Sequence, residues 1–247
     1  MLETPQSVIP HSGKEMTIGQ SAGKSYAYLL GVYLGDGCVT THQGRLVFRL
    51  NTIDEDFALA TKAALEIVST RKVGLCKHSV EKSNNANYAI RCGDEDLCKR
   101  LRKETGNKSF LPSWYLNDWS DEMRKAFIVG LMDSEGFVAE GKYKTGRSHY
   151  MGFKSCDVWV PHFIEMLQSE GLKIGKVQTE RPYKPGYKPA TRFSISMQSW
   201  VDSGMRFNIK RKQDRVDRWA ATEPYSERSR YPRKLTSETA RRAASCG

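Results

Sequence analysis

Two carboxylates frame the chemistry open to this sequence. Asp36 ends the run Leu29-Leu30-Gly31-Val32-Tyr33-Leu34-Gly35-Asp36-Gly37, and Glu135 ends Ile128-Val129-Gly130-Leu131-Met132-Asp133-Ser134-Glu135-Gly136, about a hundred positions later. Each follows an apolar stretch with small residues four apart: Gly31 and Gly35 in the first, Gly130 and Ser134 in the second. Residues at i and i+4 share a helix face, and small residues on one face let a second backbone come close. Neither run is long enough to span a bilayer. The two therefore read as buried helices crossing at their small faces, each closed by a glycine at C′. Asp36 and Glu135 then sit at helix C-termini, where the dipole disfavours a carboxylate by roughly 0.3–1 kcal/mol. Two such ends packed together gather carboxylates and free carbonyls into one cluster of hard oxygen donors. A hard divalent cation such as Mg²⁺ would relieve the repulsion. The plainer reading, a solvated acid after a buried helix, serves for one copy and weakens when the pattern occurs twice.

The elements that must position these acids repeat in the same order. After Gly37, Cys38–His42 and Arg45–Thr52 read as strands around a Gln43-Gly44 turn. Leu46, Phe48 and Leu50 alternate with Arg45, Val47, Arg49 and Asn51. One face suits packing on helices; the other is either an ordinary solvated face or one suited to phosphates and base edges. A helix follows over 54–69 with Asp54 as N-cap, then strands over 73–80 and 87–92, then a short helix capped by Asp94. Tyr88, Ile90 and Cys92 point inward in the last of these strands, Asn87 and Arg91 outward. The second half replays this sequence of elements. Its motif helix is Asp121–Ser134 with Asp121 as N-cap, its hairpin spans 137–145 and 149–156, a helix covers 158–170, strands cover 174–182 and 191–197, and a helix covers 199–206. A C-terminal helix runs to about Thr222. Residues 1–20 read as a loose arm, with Ser25 capping the first motif helix. The stretch Gly19–Ser25 is one residue short of a P-loop and lacks a preceding strand, so that reading is rejected.

The paired stretches resemble the motifs of the LAGLIDADG homing endonucleases in their two-repeat, single-chain form, over roughly residues 25–220. Leu34 stands where the name motif carries its first acid, and Asp133 keeps it. That position is not the metal ligand in the family. The resemblance implies an α+β fold: two pseudo-symmetric α-β-β-α-β-β-α repeats forming a saddle of two antiparallel sheets around a central pair of motif helices. It implies that Asp36 and Glu135 bind catalytic metal, helped by the carbonyls of Gly35 and Ser134. The cofactor would be Mg²⁺, and Mn²⁺ or Ca²⁺ could occupy the same site. A family lysine lies beside the scissile phosphate near the place Lys108 occupies here, after Gly106 and before Pro112. The equivalent place in the second half is Asn208–Gln213, which offers Lys210 and Lys212; Lys210 is taken as the counterpart. The partner would be double-stranded DNA, cut across the minor groove to leave short 3′ overhangs at a long asymmetric site. The outward positions Arg45, Arg49, Asn51, Arg91, Lys142, Lys144, Lys154, Gln178 and Arg192 are the candidate DNA contacts.

Composition agrees with a polyanion partner. The chain has 247 residues and a formal net charge of +11, with a pI near 9.4. Six cysteines show no C-x-x-C pair and no histidine at zinc spacing, so they read as free thiols in a reducing compartment. No secretion signal or membrane-length run is present, which points to a cytoplasmic protein acting on DNA, and two unlike repeats in one chain point to a monomer. The expected division is a flexible arm over 1–20, a first repeat over 21–112, a linker over 113–120, a second repeat over 121–222 and a basic disordered tail over 223–247. A non-cleaving relative of the same scaffold, an intron maturase or a transcription regulator, is the rival. Such relatives often lose the motif acids, and both are present here.

Overall fold

The computed structural model describes residues 15–79, 86–112, 118–143, 146–182, 186 and 188–222. Its elements run α1 (Glu15–Leu34), β1 (Cys38–His42), β2 (Arg45–Thr52), α2 (Glu55–Val68), β3 (Val73–Ser79), β4 (Ala86–Cys92) and α3 (Glu95–Glu104). The second half follows with α4 (Asp121–Ser134), β5 (Gly136–Tyr143), β6 (Gly146–Ser155), α5 (Val160–Ser169), β7 (Ile174–Glu180), β8 (Ala190–Ile195) and α6 (Met197–Asp202). A last helix, α7 (Lys210–Thr222), has no counterpart in the first half among the described residues. The predicted α-β-β-α-β-β-α order is thus found in both halves. The two sheets are antiparallel with equivalent strand orders, β1-β2-β4-β3 and β5-β6-β8-β7.

Alternation explains the sheets. Phe48 and Leu50 are wholly buried, Leu46 packs against the core, and Arg45 and Asn51 are exposed. Phe48 pairs with Cys92 in the first sheet and Phe153 with Phe193 in the second, so both middle strands turn an apolar face to one shared core. Gln43 and Gly44 both have positive φ, 49° and 76°. That is the geometry of a two-residue hairpin turn matched to strand twist.

The core is centred on α1 and α4, and their crossing needs the small residues. A Cβ on Gly31 would overlap the Phe127 carbonyl oxygen, and one on Gly130 would overlap that of Tyr28. A Cβ on Gly35 would meet the Ser134 side chain. The glycines that close the motifs act differently from expectation. Neither Gly37 nor Gly136 has the left-handed conformation of a C′ glycine. Each is needed for room, because the chain turns straight into a strand beneath its helix: a Cβ on Gly37 would lie 3.0 Å from Tyr33 Cα and 3.1 Å from Phe48 Cε2.

Three helix starts also differ from the sequence reading. α1 begins at Glu15, so Ser25 lies inside it and caps nothing. Once a helix exists, each added residue gains a hydrogen bond at little cost, and the polar residues before Ser25 simply extend it. α4 is capped by Ser120, whose hydroxyl accepts from Met123 N, one residue earlier than expected. α6 starts at Met197, with Ser196 as its cap. The expected linker lies mostly outside the described residues, as do Trp114 and Tyr115. Trp119 is buried with its ring edge-on to Phe127, 5.6 Å between centroids. The tail over 223–247 is outside the described residues.

Candidate active site at the paired helix ends

Asp36 follows the last turn of α1, and Glu135 is the C-cap residue of α4. The crossing at Gly35 and Ser134 brings the two ends side by side: a Cβ on Gly35 would lie 3.4 Å from Glu135 Cγ. Burial raises the Asp36 carboxyl above its ordinary range, against the pull of Lys212 and Lys108. Burial, then the charges of Asp36 and Asp157, raises Glu135 to about 7. Partial burial thus disfavours the ionised form of both acids, and the charge of Asp36 adds to the effect on Glu135.

Two lysines reach this place, one from each repeat. Lys108 Nζ donates to the Gly35 carbonyl at 2.7 Å. It is aimed by a turn in which Gly106, Asn107 and Lys108 all have positive φ, 51°, 54° and 74°. Such a run is strained for the two side-chain-bearing residues. The turn is fixed to α1 by the Tyr33 hydroxyl, which donates to Asn107 Oδ1 at 3.1 Å. Burial lowers the Lys108 ammonium, and Asp157, Cys38, Glu135 and Asp36 pull it back up.

The second lysine corrects the sequence reading. Lys210 points into solvent and pairs with Asp214 at 2.7 Å, one helical turn on. Lys212 is 3% exposed, and its Nζ donates to the carbonyls of Met132 at 2.9 Å and Asp133 at 2.6 Å. It thus holds the end of α4 much as Lys108 holds the end of α1. Burial pushes its ammonium down to about 8, opposed by Asp133. Two positions on a helix differ by about 200°, so Lys210 and Lys212 cannot face the same way.

Asp133, the first acid of the second motif, is buried and serves as a clasp. It accepts from the Tyr28 hydroxyl at 3.0 Å, from Asn208 N and Nδ2 at 3.2 and 3.0 Å, and from Ile209 N at 3.4 Å. Burial raises it to about 6 despite these bonds. Leu34, its counterpart, is simply core.

Among the described residues, no three of His, Cys, Asp and Glu form a ready-made metal cage. The donors that do meet are two carboxylates and motif carbonyls, with Gly35 O shared with Lys108 and the Ser134 hydroxyl turned back to Gly130 O. An all-oxygen set with two neighbouring carboxylates fits a hard cation that keeps most of its water and takes further oxygens from a phosphate.

The candidate contact residues lie on the sheet faces away from the core. Arg49 and Arg91 are directly opposite across β2 and β4, and the Arg49 Nε is buried with no hydrogen-bond partner. Asn51 is exposed beside them and Arg45 lies at the start of β2. In the second sheet Lys154, Arg192 and Gln178 share one cross-strand row. Lys144 and the side chain of Lys142 fall outside the described residues. The sequence reading missed Glu180, which accepts from Lys154 at 2.5 Å and from Arg192 at 3.3 Å. A lone acid at the end of β7, a strand with Lys176 as its one base, was its only signal.

Comparison with solved structures finds this architecture elsewhere. The homing endonuclease I-WcaI bound to its DNA recognition sequence aligns over 83% of this chain and 95% of its own, at 10% identity and a TM-score of 0.52. Full-length DUF199/WhiA from Thermatoga maritima aligns over 96% of this chain and 71% of its own, at 10% identity and a TM-score of 0.50. I-DmoI, in complex with its nicked target DNA and manganese, aligns over 74% of this chain and 96% of its own, at 16% identity and a TM-score of 0.49. No protein-family model matches the sequence, and no curated protein matches it either. The likeness is one of fold: the chain has the two-repeat LAGLIDADG architecture. Among the described residues no helix is long and apolar enough to cross a membrane.

Proposed function

We propose that this protein is a site-specific DNA endonuclease that, as a monomer with Mg²⁺, cuts both strands of a long asymmetric site and leaves short 3′ overhangs. The observation that carries this reading is the meeting of Asp36 and Glu135 at crossed helix ends, with one lysine from each repeat at the carbonyls of those ends. The architecture shared with I-WcaI, which is bound to its DNA recognition sequence, supports it at the level of fold.

When bound, a divalent cation would activate water, neutralise the phosphoryl oxygens and stabilise the leaving 3′ oxygen. Asp36 and Glu135 would hold it, with the carbonyls of Gly35 and Ser134 beside them. The residues themselves do the rest. Lys108 and Lys212 are fixed donors in a half-closed site, where an ammonium stabilises developing charge more strongly than in water. Outward arginines and lysines of the two sheets supply phosphate contacts, and Arg49, Asn51, Arg91, Gln178 and Arg192 have the donor patterns that read guanine and adenine edges. The halves differ in sequence, so the site they read is asymmetric.

The test is incubation with a randomised duplex library in Mg²⁺, followed by sequencing of the cut ends. Specific paired cuts are expected. Asp36→Asn and Glu135→Gln should each keep DNA binding and lose cutting of at least one strand. Undiminished cutting of both strands by both variants would sink the assignment. The second reading is a nucleic-acid-binding protein of the same architecture that does not cut. Retention of nucleic acid with no cut ends supports that reading.

A further inference from the structure

Resting on the endonuclease reading, we infer that Asp54 is a positioning residue for Lys212, acting through Arg211, so that the second repeat's lysine is aimed by the first repeat. Asp54 occupies the N-cap position of α2, yet its side chain makes no cap hydrogen bond. A capping aspartate ordinarily stabilises its helix by accepting from a first-turn N–H. Both of its oxygens go instead to Arg211, from Nε at 2.6 Å and from Nη2 at 2.8 Å. This is the two-pronged guanidinium–carboxylate geometry that fixes direction as well as distance. Next to it, Asp56 accepts from the backbone N–H of Lys210.

The first turn of α7 is thereby fastened to repeat one, although α7 belongs to repeat two. Lys212 is the next residue after Arg211, and its ammonium sits on the Met132 and Asp133 carbonyls. Lys108 is delivered without such a crossing, by a turn tied to α1 of its own repeat. The two lysines therefore depend on different supports. The Arg211 side chain is 51% exposed but that of Asp54 only 14%, so loss of this two-pronged pair costs stability as well as aim, and the variants must be compared at equal extents of folding.

The experiment compares Arg211→Gln and Asp54→Asn with the wild type in two measurements. In the first, each strand of an end-labelled target duplex is followed separately. One strand's cutting rate should fall roughly 10- to 100-fold, the scale set by small misplacement of an active group. The other strand should stay within about twofold. Equal loss on both strands, or no loss on either, overturns the inference. The second measurement is modification of Lys212 by an amine-acylating reagent, read by peptide mass at equal extents of folding. It needs no cutting, so it decides even if the endonuclease reading fails. A several-fold rise in Lys212 labelling over wild type, with Lys108 labelling unchanged, supports the tether; unchanged Lys212 labelling overturns it.

Discussion

At the level of single residues, Lys212 and Lys210 separate what a side chain is from where its helix points it. Ile209, Val216 and Trp219 are buried, and Lys212 falls on the same stripe at spacings of three and four. Lys210 lies off it and pairs with Asp214 in solvent. Lys212→Met should therefore slow the cutting of one strand strongly, by about 10²-fold if the ammonium stabilises developing charge, whereas Lys210→Ala should leave both strands unchanged. Single-turnover assays with each strand labelled measure this; equal effects of the two variants would contradict the assignment. The phase of α7 decides between the two lysines, and residue type alone does not reveal it. Basic residues crowd both faces of its first turn, so residue type could not choose between them. The apolar spacing from Ile209 to Trp219 does. Asp36 and Glu135 were legible from the start, because each combines an apolar run, a small-residue face and a closing glycine, and the pattern occurs twice. Asp54 and Arg211 were not, since nothing local to either residue signals a partner more than 150 positions away.

At the level of elements, the crossing of α1 and α4 depends on missing atoms. Gly31 and Gly130 each face a carbonyl oxygen of the opposite helix backbone, which cannot yield as a flexible side chain would. Gly31→Ala should destabilise the fold by roughly 1–3 kcal/mol, the usual cost of overpacking, even though alanine is the better helix former. Denaturant unfolding would show it, and a stabilised Gly31→Ala protein would contradict the close crossing. A second joint is Asp94. It caps α3 at Leu97 N, 3.0 Å, and accepts from the Ser69 hydroxyl at 2.9 Å and Thr70 N at 3.0 Å, so it ties the end of α2 to the start of α3. Burial alone would raise its carboxyl, but these bonds outweigh burial and hold it below the ordinary value of 3.8. A lowered acid favours the folded state when ionised. That contribution is present above the unfolded value and is lost as pH falls through the folded one. Asp94→Ala should cost about 1–2 kcal/mol at neutral pH, with the gap from wild type closing as the pH falls below the ordinary value of 3.8 and on through the lowered one; a gap that persists in acid would contradict this origin. The capping role was readable, as an aspartate three residues before Leu97 at the start of an amphipathic segment. The start of α1 was not, because extension of an existing helix leaves no mark of its own in sequence.

At the level of the whole molecule, the two sheets repeat one topology with different charge arrangements, and this difference should be visible in binding. In the first sheet Arg49 and Arg91 stand directly opposite each other, and no ion pair among the described residues joins either to an acid. Like charges in that position repel, and a phosphate backbone between them would remove the repulsion. In the second sheet Lys154 and Arg192 share Glu180 across β7, so part of their charge is already spent inside the protein. Each lysine or arginine that replaces a condensed counterion adds close to one unit to the slope of log K against log salt. Arg49→Ala or Arg91→Ala should then reduce that slope by about 1. Lys154→Ala should reduce it by less, because a phosphate must first compete with Glu180 for the ammonium. Glu180→Gln should act in the opposite direction, steepening the slope and tightening binding to unrelated duplex by freeing two cations at once. Titrations of labelled duplex at several salt concentrations give all four slopes. If Glu180→Gln left the slope unchanged, the second sheet would not meet the phosphates, and the proposal that both sheets contact DNA would fail with it.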